Sequence, residues 1–596
     1  MCGFIGKFSK NENIIEEIIE ANKYNICRGP DDLKSYNGLS KDIFYSLIFN
    51  RLSIIDLSDK ASQPMEDDYK NILMFNGEIY NHKALRVLLE NKQVKFKTSH
   101  SDTEVVLHGL RIFGKEFLNM LIGQFSIFYF NPVKNHVILA RDRVGQKPLF
   151  YFKDDVEFIF SSNLKALLKL KKNYEINQDS LIEYIDSGVV ASPNTLFKDI
   201  YKLYPGQAIE IDLNKKYKFI DTSFFWSTDE IINSTKKPFV YEEFRELLVD
   251  SILLRQNADV SVANLLSGGI DSTTILKLAS ENSQNLKVNT FSVTNKGSIY
   301  DEEEWINFAS KKYNSNQTKI NIDIDNIDFE QVEESIKIFD EPYADPSTVP
   351  SYLLYKEISK SFKVAISGDG GDELLGGYER IVNTLNRGKY FNYMFRFYPG
   401  IFGSGNKLSV NQNNLKNAYM TYFKDPKFLK LLNLNNDRKI NFRDLEISEY
   451  LSMINFDLNY YLPEMMMLKV DRTSMANSVE VRSPFVDHRL IEYILKSDYS
   501  VESKKDQKEP LKKILSKDFD IDFLNRKKMG FVFNLENWIY NNSQYIEHYF
   551  KNDSNLINDM NKNIFKILSL YKTRINGQRI WRLYFLEKYL DSLKSI

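Results

Sequence analysis

Cysteine is nearly missing from this 596-residue chain, which has only Cys2 and Cys27. A disulfide scaffold is thereby excluded, and a reducing, cytoplasmic setting is expected. Histidine is almost as scarce, and its six copies lack the spacing of a zinc site. No apolar run is long enough to span a bilayer. The opening MCGFIGKFSK lacks the apolar core of a secretory signal. Net charge is −1, so the basic footprint of a nucleic-acid binder is missing too. No internal repeat or low-complexity tract is present. What remains is an ordinary soluble composition, with 43% hydrophobic and 27% charged residues. The length predicts about two to four domains.

One stretch stands out, VSVANLLSGGIDSTTILKLAS at 260–280. Val260–Leu266 is an apolar run that predicts a buried strand. Gly268 and Gly269 follow, and Asp271, Ser272 and Thr273 supply helix-start chemistry ahead of Ile275, Leu276, Leu278 and Ala279. Strand, glycine turn and helix N-terminus favour a bound anion, because glycine admits close approach and free N–H groups face the ligand. No Lys-Ser/Thr pair follows at Walker A spacing. Ser267 and Ser272 are instead suited to donate to phosphate, and Asp271 to hold Mg2+.

A second glycine-acid loop, Ser367-Gly368-Asp369-Gly370-Gly371-Asp372-Glu373, follows the predicted strand Lys363–Ser367. Asp271 and Asp372, at one sheet edge, would both reach Mg2+ on nucleotide phosphates. Between them, strands Asn289–Val293 and Thr318–Ile322 alternate with helices Glu302–Tyr313 and Phe329–Phe339. That order implies a doubly wound parallel sheet. ATP is expected at Leu266, Ser267, Gly268, Gly269, Asp271, Ser272, Val293, Ser367 and Gly368, near the carboxyl ends of the strands.

The first part of the chain reads differently. Strands Ile43–Phe49, Ile72–Phe75, Phe125–Phe130, His136–Ala140, Leu149–Phe152 and Phe158–Ser161 are interspersed with helices Ile14–Ala21, His82–Asn91, Glu104–Phe113 and Leu164–Leu170. Stacked antiparallel sheets flanked by helices are expected. Asn50–Asp56 reads as a strand carrying Arg51, and Met74–Asn81 as a strand ending in Asn76-Gly77. Ser101–Glu104 reads as a cap on an apolar helix. Ala208–Trp226 reads as a last hairpin and Thr228–Lys237 as a polar connection, so the division falls near residue 225. Cys2 follows the initiator Met. Its removal would leave thiol and α-amine on one residue, the amine (reference pKa ~8) acting as base for the thiol.

The Ser267–Ser272 string resembles the pyrophosphate loop of ATP pyrophosphatases. Cys2, Arg28–Asp31, Asn50–Asp56, Met74–Asn81, Ser101–Glu104, Gly123–Ile127 and Ala140–Leu149 together resemble a class II glutamine amidotransferase domain. Adding Leu462–Ala476, Val479–His488, Lys508–Leu515 and Arg526–Phe531 extends the resemblance, over nearly the full length, to the glutamine-hydrolysing asparagine synthetase family. The fold this implies is an α+β N-terminal nucleophile αββα sandwich over 1–225. An α/β doubly wound, Rossmann-like ATP pyrophosphatase domain with helical additions would follow over 226–596.

The resemblance also implies roles. Cys2 would attack the glutamine carboxamide, with Asn76 and Gly77 as oxyanion hole. Arg51 would clamp the α-carboxylate, and Asp102, helped by Glu78, the α-ammonium. ATP and Mg2+ would adenylate the side-chain carboxylate of aspartate, Lys508 would neutralise phosphate charge, and ammonia would arrive through an interior tunnel. Asp369 stands where the family carries a carboxylate near the reacting centre and would take a proton from ammonia. The best-studied members carry glutamate there, so a sugar uronic acid is an alternative acceptor. A silent scaffold is a third reading, but Cys2, Arg51, Asn76, Asp102, Asp271 and Asp372 all stand. A homodimer is expected from the family. Residues 385–450 carry no usable motif.

Overall fold

The computed structural model describes residues 2–11, 14–283, 287–295, 302–324, 326–387, 414–435, 447–526, 533–554, 564–570 and 572–596. Much of 385–450, and residues 527–531 of the Arg526–Phe531 string, lie outside these. Among the described residues no helix is long and apolar enough to cross a membrane.

The N-terminal strands are β1 (Gly3–Ser9), β2 (Asp32–Ser40), β3 (Ile43–Arg51), β4 (Met65–Glu66), β5 (Ile72–Ile79), β6 (Gly123–Asn131), β7 (His136–Arg141), β8 (Phe150–Lys153), β9 (Glu157–Ser161), β10 (Ile200–Lys202), β11 (Gln207–Asp212) and β12 (Lys218–Phe224). They form two six-stranded sheets, β10-β8-β9-β1-β3-β2 and β12-β11-β7-β6-β5-β4. The sheets face each other across Phe4, Phe8, Phe128, Phe130, Phe158 and Phe160. Phe128 and Phe160 stack with ring centroids 4.3 Å apart. Each such ring, fully buried, contributes about 1.5–3 kcal/mol. Helices Ile15–Asn22 and Leu164–Lys171 cover the outer face of the first sheet. Helices His82–Glu90 and Asp102–Phe113 cover the second. The stacked sheets expected from the strand pattern, and the αββα sandwich implied by the resemblance, are therefore present.

Register places the nucleophile candidate. Gly3 of β1 pairs with Asn50 of β3, so Cys2 comes level with Arg51. In the facing sheet Asn76 pairs with Ser126 and Gly77 with Phe125.

The C-terminal sheet contains β13 (Val262–Leu265), β14 (Asn289–Thr294), β15 (Asn316–Asn321), β16 (Val364–Ile366) and β17 (Glu480–Arg482). All neighbours are parallel, in the order β15-β14-β13-β16-β17. The chain runs outward from β13 through β14 to β15, then returns to the other side of β13. That reversal is a topological switch point, where ligands collect at strand ends. Both glycine loops leave the carboxyl ends of β13 and β16, side by side.

Several elements differ from expectation. Asn50–Asp56 is not one strand: β3 ends at Arg51 and the chain turns around the guanidinium. Arg51 donates to the carbonyls of Ser58 (3.0 Å), Ile55 (3.5 Å) and Asp56. Met74–Asn81 does not end at Asn76-Gly77, since β5 pairs on to Ile79. The Ser101 hydroxyl makes no cap, and the helix begins at Asp102. Glu104 instead accepts from the Lys97 and Thr98 N–H groups at 2.7 and 2.8 Å, tying down the preceding loop. Helix Thr228–Ile232 lies where a polar connection was expected, and helix Thr348–Ile358 lies in a stretch for which no element was predicted.

The two parts meet over buried ion pairs. Arg28 holds Asp471 through two bonds of 2.8 and 2.9 Å. Burial alone would raise the Asp471 carboxyl, but Arg28, Arg472 and Lys147 outweigh it and hold it well below the usual range. A carboxyl depressed on folding stabilises fully above its unfolded pKa of ~4, and the contribution fades as pH falls below that. Asp471→Asn leaves the buried Arg28 guanidinium without its carboxylate, while Arg472 keeps Asp340 at 2.6 Å. It is expected to cost about 3–5 kcal/mol at neutral pH, with a smaller difference in acid, by denaturant melts.

Candidate active site

Two sites and a buried strip between them emerge. The first is a cleft lined by Cys2, Arg51, Leu52, Ile54, Ile55, Gln63, Phe75, Gly77, Glu78, Thr103 and Glu480. Cys2 stands just ahead of β1, buried, with its backbone N–H donating to Asn76 Oδ1 at 3.0 Å. Burial pushes its thiol up, while the Leu52 N–H and Arg51 pull the other way. Asn76 is fully buried and gives its amide to Ser126 Oγ at 3.3 Å. Gly77 is needed by close packing, since an added Cβ would lie 2.0 Å from the Gln124 carbonyl oxygen.

Cys2, Arg51, Gly77 and Glu78 thus line one cleft. Asp102 does not; it sits one residue behind the lining Thr103 and accepts from the Ile79 N–H at 3.1 Å. Burial raises both the Asp102 and the Glu78 carboxyls. Glu78 Oε2 lies 3.3 Å from Arg482, and Arg482 bonds Glu480 at 2.6 Å. Two C-terminal residues, Glu480 and Arg482, therefore complete a cleft made mainly by the N-terminal part. The sequence named their string without giving either a role; a three-residue strand leaves no periodic signal.

The second site is the pair of glycine loops. Gly268 takes φ +74°, which suits glycine. Ser267 and Ser272 hydroxyls lie 3.1 Å apart, and Ser267 Oγ accepts from the Gly269 N–H at 3.3 Å, so the turn is preformed. The Leu266 side chain is in the core, which leaves only its backbone to face a ligand. Val293 packs on the sheet face with Leu265 and Phe291. A Cβ on Gly368 would come within 2.9 Å of Asp271 Cβ, so the two loops touch.

Lys508 spans Asp271 (2.5 Å) and Asp372 (2.7 Å), drawing the two predicted metal carboxylates together. It does so with a positive φ of 54°, at the head of helix Glu509–Leu515. Gly377 makes room, since a Cβ there would lie 2.0 Å from Asp372 Oδ1 and 2.4 Å from Lys508 Cε. Two converging carboxylates are hard oxygen donors that suit Mg2+ when phosphate oxygens complete the shell. Among the described residues no group of three or more His, Cys, Asp or Glu side chains would hold a metal alone. Arg526 donates to the Gly268 carbonyl and pairs with Glu302 at 3.0 Å, adding a second cation over the loop.

Asp369 accepts from Ser367 Oγ at 2.8 Å. Nearby, the Lys469 ammonium donates to Ser347 Oγ at 3.0 Å and lies 3.5 Å from Asp345. Burial alone would lower that amine, but Asp345, Tyr461 and Asp369 outweigh it and raise it.

The strip between the sites is β17 and its continuation. Glu480 lines the Cys2 cleft; Val481 and Ser483 line a small interior chamber with Gln124, Gln146, Lys147, Met467, Val470 and Asp471. Ser483 Oγ is 2.8 Å from Ser367 Oγ of the second loop.

Known proteins place this arrangement. The asparagine synthase family model matches residues 243–574, and the glutamine amidotransferase domain model matches 1–225. The chain is 31% identical to asparagine synthetase (glutamine-hydrolysing) 1 of Bacillus subtilis, over 91% of this chain and 88% of that one. It is 33% identical to a putative asparagine synthetase (glutamine-hydrolysing) 2 of Methanocaldococcus jannaschii, over 70% and 83%. It is 28% identical to asparagine synthetase (glutamine-hydrolysing) 2 of B. subtilis, over 89% and 72%. With both family models matched and these relatives aligned along most of its length, the chain belongs to the glutamine-hydrolysing asparagine synthetase family.

Proposed function

We propose that this protein makes asparagine from aspartate, ATP and glutamine, with a glutaminase unit over 1–225 and a synthetase unit over 226–596. Freed of the initiator Met, the Cys2 α-amine takes the thiol proton, and the thiolate attacks the glutamine carboxamide carbon. Asn76 and the Gly77 N–H hold the developing oxyanion. Arg51 holds the substrate carboxylate, and Glu78 with Asp102 its ammonium. The C–N bond breaks, the nitrogen leaves as ammonia with the amine's proton, and water later releases glutamate from the thioester.

At the second site the aspartate side-chain carboxylate attacks the α-phosphorus of ATP and pyrophosphate leaves. The N–H groups after Gly268, the Ser267 and Ser272 hydroxyls and Lys508 stabilise the charge on the leaving group. Asp271 and Asp372 would hold Mg2+, which neutralises phosphate charge when bound. Lys469 is the cation available to an acceptor carboxylate beside Asp369. Ammonia attacks the acyl carbon, Asp369 takes its proton, and AMP departs.

What supports the coupling of the two half-reactions is the Glu480–Ser483 strip, which touches the Cys2 cleft at one end and Ser367 at the other. An enclosed path keeps ammonia from being protonated in bulk water. The test is pyrophosphate release by purified protein with glutamine and Mg·ATP, across a panel of carboxylic acids. Aspartate-dependent release is expected. Asp369 is one methylene shorter than glutamate, so release only with a uronic-acid nucleotide sugar is the result that would replace the acceptor.

A further inference from the structure

We infer that Asp259, a residue of the synthetase part, is a positioning residue for glutamine: its carboxylate ties together the loop after Arg51 and the loop before Asp102. The inference rests on the glutamine site proposed above. Asp259 stands three residues before β13, far in sequence from both loops.

Its Oδ2 accepts from the Asp56 N–H at 2.7 Å and lies 2.6 Å from His100 Nε2. Its own N–H donates to the Ile54 carbonyl at 3.0 Å. His100 Nδ1 lies 2.6 Å from Ser99 Oγ, and that hydroxyl reaches back to Asp56 Oδ2 at 3.4 Å. Asp56, Ser99, His100 and Asp259 therefore close a ring of polar contacts.

Each loop in the ring leads straight to the cleft. Leu52, Ile54 and Ile55 line it, and the carbonyls of Ile55, Asp56 and Ser58 orient the Arg51 guanidinium. On the other side, residues 99–101 run into Asp102 and the lining Thr103. Asp56 takes φ +52°, a conformation non-glycine residues seldom adopt without support. Asp259 supplies that support by accepting from the Asp56 N–H. A displacement of the guanidinium by a fraction of an ångström weakens a two-point carboxylate clamp, so substrate binding suffers before chemistry does. The ring is partly solvent-exposed, which keeps the expected effect moderate.

The experiment uses the full chain. Asp259→Ala is expected to raise KM for glutamine about fivefold in glutamate release, with kcat nearly unchanged and ammonia-driven synthesis intact. Asp259→Asn, which keeps an acceptor oxygen, should recover most of the loss. His100→Ala, at a half-exposed position, should raise KM about twofold. An unchanged KM in Asp259→Ala overturns the inference, as does equal loss of glutamine- and ammonia-driven activity. Arg51→Ala is measured alongside. If it leaves KM unchanged, the glutamine site falls and this inference with it; if it alone raises KM, only this inference falls.

Discussion

Cys2→Ala is expected to lower glutamine-driven amide formation by about three orders of magnitude or more while ammonia-driven formation stays within about twofold. In the proposed mechanism the thiol sulfur forms the new bond, and among the described residues lining the cleft none is a comparable nucleophile: Glu78 and Glu480 are engaged by Arg482. The substitution is mild for the fold. Cys2 is a buried residue just ahead of β1, and losing one sulfur costs about 1 kcal/mol against a whole sandwich. Its backbone bond to Asn76 survives. The synthetase loops lie in another sheet and keep their geometry. Assays of asparagine with glutamine and then with ammonium chloride separate the outcomes. Loss of both activities would make Cys2 structural.

Lys508→Ala should do the reverse. Pyrophosphate release is expected to drop about 10²–10³-fold with either nitrogen source, while glutamate release from glutamine continues. Lys508 is the ammonium that both Asp271 and Asp372 share, so its removal takes a positive charge from beside two carboxylates at the proposed phosphate site. Uncompensated negative charge there opposes the binding of anionic phosphates. Lys508→Arg offers an instructive companion. It keeps the charge, but the Gly377 backbone crowds the stem of the side chain, and an added Cβ there would sit 2.4 Å from Lys508 Cε. A planar, bulkier guanidinium does not fit that gap, so this variant should be nearly as slow. Full activity in Lys508→Arg would mean that charge alone matters at this position. Full activity in Lys508→Ala would remove Lys508 from the chemistry altogether.

Much of this was legible in the sequence because the signals were local. The apolar run before Gly268 and the acids after it produced a strand, a tight turn and a helix in that order, and Ser367–Asp372 did the same. The alternating aromatics of Gly123–Asn131 and Glu157–Ser161 fold into the stacked sheets their period implies. What escaped was set by contacts distant in sequence. Asn50–Asp56 has strand-like composition, yet the Arg51 guanidinium gathers the following carbonyls and bends the chain away. Ser101-Asp102-Thr103-Glu104 has capping composition, but Asp102 and Glu104 spend their carboxylates on Ile79 and on the Lys97–Thr98 turn. Glu480, Arg482 and Asp259 reach the glutaminase cleft or its supporting loops only because two separately folded sheets pack together. Lys508 is singled out by its motif as a cation for phosphate charge, but only the fold shows it held between two carboxylates.

The claim on which the account turns is that nitrogen released at Cys2 travels inside the protein to an acid activated at the glycine loops. The most direct measurement supplies glutamine labelled with ¹⁵N in its amide, aspartate, Mg·ATP and a large excess of unlabelled ammonium. Mass spectrometry then reads the label in the asparagine formed. The account predicts product carrying mostly ¹⁵N. Product labelled no more than the bulk ammonium pool, or no labelled asparagine at all, would contradict it.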